Sequence, residues 1–123
     1  MIDKTETLYI SGPMTGIADF NRPAFHAMEK ILTETFGCKV LNPARITDEH
    51  VQEHHAGLET EALYRVYMQH DIDLIFSASG IVLLSGHKDS RGASAELALA
   101  KCLNLRIFHD WEILEHAGKP VAI

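Results

Sequence analysis

Ile81-Val82-Leu83-Leu84-Ser85-Gly86 is a short apolar run ending in a turn; a helical stretch from about Gly92 to Leu103 follows, and then Arg106-Ile107-Phe108 is apolar again. Strand, helix and strand at this spacing make a βαβ unit, and such units build a parallel sheet covered by helices on both faces. Working outward, a long helix is expected over about Glu59 to Ser77. Leu8-Tyr9-Ile10 reads as a buried strand leaving into Ser11-Gly12-Pro13. From about Asn21 to Phe36, apolar residues Phe25, Met28, Ile31, Leu32 and Phe36 recur at helical spacing, and Gly37 stands where a C-terminal cap belongs. Lys39-Val40-Leu41 is a second strand, stopped by Asn42-Pro43. Residues 44–57 are polar and rich in histidine, a loop or short helix. A last helix is expected near Trp111–His116, and residues 120–123 form an edge strand or a tail.

These elements imply a single α/β domain over residues 1–123, with three layers and a four- to five-stranded parallel sheet. Ligands bind such sheets at the carboxyl ends of the strands. Three loops leave strand ends here: Ser11–Gly16, Asn42-Pro43 and Ser85–Gly92.

The 123 residues fit one domain, and an apolar share of 46% supports a core. A formal charge of −6 without a Lys/Arg cluster argues against a nucleic-acid polymer as partner. A nucleotide bound here is expected to be a monomer in a pocket. No apolar run approaches the ~20 residues that span a bilayer, and the charged first residues lack the apolar stretch of a signal peptide. The expected location is therefore the cytoplasm, with no membrane partner. Cys38 and Cys102 show no metal-type or redox-type pairing and read as buried free thiols. His50, His54 and His55 contain one i,i+4 pair but no third ligand, so no metal is expected.

Two carboxylates stand on apolar stripes. Glu96 is in register with Leu99, Ala100 and Leu103, the residues that turn the helix toward the sheet. A carboxylate there costs free energy unless something compensates. A helix-start acid favoured by the macrodipole is one explanation; a capping box is not, because Ala93 occupies the position that would need Ser or Thr. Asp71 likewise interrupts the stripe of Leu63, Tyr67, Leu74 and Ala78; Arg65 or a histidine is one way to satisfy it, and a functional role is another. Its neighbour Asp73 is expected to face solvent. Two carboxylates at one pocket suit glycosidic chemistry, in which one attacks the sugar carbon and the other handles a proton at the leaving group.

The loop Ser11-Gly12-Pro13-Met14-Thr15-Gly16 has glycines that let backbone N–H groups approach a ligand, although a plain strand–helix turn has the same pattern. Gly86 closes the third strand. Ser90-Arg91-Gly92 opens the helix that carries Glu96, where a serine hydroxyl at a helix N-terminus suits an anion or a simple cap.

Tyr9-Ile10-Ser11-Gly12-Pro13-Met14-Thr15-Gly16, Asn42-Pro43-Ala44, Asp71 and Ser90-Arg91-Gly92-Ala93-Ser94-Ala95-Glu96 resemble the nucleoside 2-deoxyribosyltransferase superfamily, over about residues 8 to 108. Within it, the chain more closely resembles a branch often met in phages and prophages. The resemblance implies a flavodoxin-like domain without a cofactor, and a homo-oligomer whose sites lie near the subunit interface. It implies Glu96 as nucleophile, Tyr9 orienting that carboxylate, and Asp71 at the leaving base. The substrate-binding residues would be Gly12, Pro13, Met14, Thr15, Gly16, Asn42, Gly86, Ser90, Arg91 and Gly92. In the superfamily, base-exchanging transferases carry an aspartate six residues before the nucleophile, and nucleoside 5′-monophosphate N-hydrolases carry a serine. Ser90 holds that position and points to a nucleotide. Pro13 and Thr15, however, replace the Ser and Arg that the hydrolases' first loop gives to the phosphate. The function expected is an N-glycosidase acting on a (deoxy)nucleoside 5′-monophosphate. The alternatives are nucleoside base exchange and a non-catalytic nucleotide-binding module.

Overall fold

A computed structural model describes residues 2–45 and 60–118. Strands β1 (Thr7–Ser11), β2 (Lys39–Leu41), β3 (Gly80–Leu83) and β4 (Arg106–His109) form one sheet in the order β2-β1-β3-β4. Every pairing is parallel: Tyr9 lies opposite Leu41 and Ile81, and Ile81 opposite Ile107. The helices are α1 (Arg22–Ile31), α2 (Thr60–Phe76), α3 (Arg91–Cys102) and α4 (Asp110–His116). The strand order is the flavodoxin-like one, and the α/β reading holds.

Alternation along β1 divides the core into two layers. Leu8 and Ile10 face one side with Phe25, Met28 and Leu32 from the first helical segment and Ile113 of α4. Tyr9 faces the other side with Ile81, Leu83, Ile75 of α2 and Ala100 of α3. Both sheet faces are covered, so β1 and β3 read as continuous apolar runs. Because β1 lies between β2 and β3, the chain reverses its direction of winding beside it, and the crevice opens at the C-terminal ends of β1 and β3.

Several boundaries moved. The first helix begins at Arg22, after Asn21 in a left-handed conformation, and from Leu32 to Phe36 it widens to π-type pairing before Gly37 (φ 67°) ends it. Pro43–Arg45 form a short 3₁₀ turn. The last helix starts at Asp110, where His109 and Glu112 cap each other's backbone in a box. Cys38 is buried as expected, but Cys102 is exposed because it lies on the outer face of α3. His50, His54, His55 and the residues 120–123 fall outside the described residues. Among the described residues no helix is long and apolar enough to cross a membrane.

Candidate active site

Glu96 is placed by α3. Ser90 starts that helix, its Oγ accepting the N–H of Ala93 at 3.1 Å, and the inward face carries Ala93, Glu96 and Ala100. Glu96 is only 5% exposed. Its compensation comes from β1: Tyr9 Oη donates to Oε2 at 2.9 Å, and Ser11 Oγ donates to Oε1 at 2.7 Å. Tyr9 and Ser11 are two apart on one strand and so point to the same face.

Asp71 reaches the same carboxylate from α2. Its stripe packs on the sheet through Leu74, with Ala78 just beyond the helix, and its partner is Glu96, not Arg65 or a histidine. Asp73 is exposed. Burial, then the charge of Glu96, then the hydrogen bond to Glu96 push the Asp71 carboxyl up to about 9. Burial raises Glu96 too, but donors from Ser11, Asp71 and Tyr9 all favour its anion. The same hydrogen bond thus favours the neutral acid at Asp71 and the anion at Glu96. Tyr9 is raised well above its ordinary value, first by burial and then by these carboxylates, and remains a neutral donor.

The three side chains lie at the floor of a cavity of about 990 Å³. Gly12, Pro13, Met14, Thr15, Gly86, Ser90, Arg91 and Gly92 line it, together with Tyr9, Asp71 and Glu96. Gly16 and Asn42 do not. Asn42 is buried as a bracket, its Oδ1 accepting the Ala44 N–H at 2.9 Å and its amide nitrogen 3.2 Å from His26 Nδ1. Gly12 is needed because a Cβ there would meet Leu84 Cβ at 2.8 Å. At Gly92 a Cβ would come within 3.1 Å of Tyr64 Oη, so this glycine lets α2 close on α3.

Other walls of the cavity carry no signal in the sequence. Tyr64, Tyr67 and Met68 of α2 give one apolar side, and Ile17, Phe20 and Arg22 form the opposite rim. Ser11 reads in the sequence as the start of a loop, although the strand period that places Tyr9 also places it. Ser90 keeps a hydroxyl proton to donate, since its oxygen is the acceptor in the cap. Two neighbouring carboxyl groups at a wide, partly apolar cavity can divide the work of attacking an electrophilic carbon and of protonating what leaves. Among the described residues no group of three or more His, Cys, Asp or Glu could hold a metal ion.

The family described as domain of unknown function DUF4406 matches residues 6–109, and the chain belongs to it. No curated protein matches the chain.

Proposed function

We propose that this DUF4406 protein is an N-glycosidase that cleaves the base–sugar bond of a (deoxy)nucleoside 5′-monophosphate. The observation that carries the reading is the buried Glu96 carboxylate, with Tyr9 and Ser11 donating to it and the Asp71 carboxyl beside it; in this reading the two acids share one proton, held by Asp71. Its resemblance to the nucleoside 2-deoxyribosyltransferase superfamily supports the same assignment.

In this reading a Glu96 oxygen attacks C1′ while the Asp71 proton moves to the departing base nitrogen. The C–N bond breaks, and the sugar is held as an ester of Glu96. Water then attacks C1′, its proton goes to the Asp71 carboxylate, and Glu96 leaves as the anion. Two displacements retain configuration and restore the starting proton. The hydrogen bonds of Tyr9 and Ser11 favour the Glu96 anion, opposing the burial that favours its neutral form. Tyr64, Tyr67 and Met68 give the base an apolar wall, and the Ser90 hydroxyl with the free amides of α3 receives the 5′-phosphate. A homo-oligomer in the cytoplasm belongs to the same proposal.

The test is incubation with a panel of nucleoside and deoxynucleoside monophosphates, followed by chromatography for free base. Base released without an acceptor supports hydrolysis. Release only with an acceptor base means transfer, and saturable binding without release means that the site is not catalytic.

A further inference from the structure

Acids flank the seat proposed for the phosphate. Asp89, immediately before Ser90, is exposed and lines the cavity. Arg91, immediately after Ser90, lines it too, and the carboxylate of Glu61, a lining residue of α2, lies 3.4 Å from the Arg91 guanidinium. The side chains of that pair are 70% and 74% exposed. An ion pair so open to water adds little to stability, so folding gives no strong reason for an acid in this place. Among the described residues Asp89 has no ion-pair partner.

Arg91 does not depend on Glu61 for its position. Its guanidinium lies 4.3 Å from the Tyr64 ring centroid, and its side chain hydrogen-bonds Tyr64. Stacking on an aromatic face keeps the planar fork pre-organised. A single steadied positive charge thus follows Ser90, with a carboxylate on either side. Among the described residues the other cation on the lining is Arg22. It belongs to the rim opposite α2, where its guanidinium lies 3.2 Å from Asp19 and 5.1 Å from the Phe20 ring centroid. Lys88 is exposed and is not on the lining.

This end of the cavity therefore has donors and charge for one phosphate and a surplus of acid for a second. Carboxylates beside an anion seat weaken the binding of every anion, and weaken most the one that carries most charge. Repulsion of this kind lets a site reject a competitor that its attractive contacts alone would accept. Glu96 is at the cavity floor, and Ser90 stands six residues before it, about 9 Å along the helix axis. With the sugar over Glu96 and the first phosphate at Ser90, any further phosphate extends outward, among the exposed residues Glu61 and Asp89.

We propose that Glu61 and Asp89 are specificity-determining residues that limit the site to nucleotides with one phosphate. Ser90 and Arg91 hold that phosphate, and the two carboxylates repel the second and third phosphates of a di- or triphosphate. This inference rests on the nucleotide reading above.

Calorimetry on wild type, Glu61→Gln, Asp89→Asn and the double variant tests it. The ligands are the 5′-mono-, di- and triphosphates of the four common 2′-deoxynucleosides, without divalent ions and at two salt concentrations, with base release followed in parallel. Both residues are exposed, so the variants are expected to fold. Wild type is expected to bind monophosphate more tightly than triphosphate. Each single change cuts that ratio roughly fivefold, and the double change roughly twenty- to thirtyfold. Salt screens the repulsion, so the wild-type ratio shrinks as salt rises, and the double variant lacks that shrinkage. A wild type without the preference, a ratio unchanged in the double variant, or an equal weakening of all the ligands overturns the role of the two acids. A preference that is lost with the acids but comes with no base release leaves their role standing and sinks the glycosidase. Base release at like rates from mono-, di- and triphosphates by every protein does the reverse.

Discussion

Ser11 Oγ donates a 2.7 Å hydrogen bond to Oε1 of Glu96, joining the end of β1 to the first turns of α3 inside the core. Both residues are buried, so the bond works in a medium where a lost donor is felt strongly.

Ser11→Ala is therefore expected to lower kcat/KM by roughly ten- to a hundredfold, as for a hydrogen bond to a charged group. The sign of the pH effect follows from the same bond. Ser11 favours the Glu96 anion, so without it Glu96 keeps its proton to higher pH. The acid limb of the kcat/KM profile then moves upward. A profile that keeps its acid limb in place would mean that Ser11 only fills space.

Asp71→Asn separates stability from chemistry. The Asp71 carboxyl rises from 3.8 to about 9 on folding. Folding thus favours the proton: its contribution to stability is complete below pH 3.8 and is lost as the pH rises to about 9. Asparagine needs no proton. Near pH 8 the variant is expected to melt at least roughly 3 °C above wild type, while base release falls by about 10²–10⁴-fold. Thermal melts across pH, paired with rates, check both, and a variant less stable than wild type near pH 8 contradicts the one-proton pair.

The sheet was legible because parallel strands buried on both faces have a plain signature: Leu8-Tyr9-Ile10 and Ile81-Val82-Leu83-Leu84 are apolar runs that glycine turns bound. Glu96 and Asp71 stood out because each interrupts a stripe of apolar residues at helical spacing, and the partner of each proved to be the other. Less could be read from the loops. Nothing in Asp19-Phe20-Asn21 announces three left-handed residues, since a tether from Asn21 to the Pro13 carbonyl holds them. Asn42-Pro43 marks a strand end whether or not a ligand is near, and only the fold brings His26 to Asn42.

Ser90 gives a test of the phosphate end. Ser90→Ala is expected to cut the ratio of kcat/KM for nucleotide over nucleoside by roughly ten- to a hundredfold. The unphosphorylated nucleoside, which never made that bond, is barely affected. Ser90→Asp goes further, repelling the phosphate while offering a sugar hydroxyl an acceptor. Rates at one salt concentration give the ratio, and a ratio that falls in neither variant makes Ser90 a helix cap alone.

In the proposed reaction Glu96 is the covalent nucleophile. A 2-fluoro sugar nucleotide slows release of a glycosyl-enzyme, so intact and peptide mass spectrometry after incubation reads the claim directly. The predicted result is a stoichiometric mass increase equal to the fluorinated sugar phosphate, located on Glu96 and missing from folded Glu96→Ala protein that has also lost turnover. Base release with no adduct, an adduct on another residue, or near-wild-type turnover by folded Glu96→Ala would contradict it.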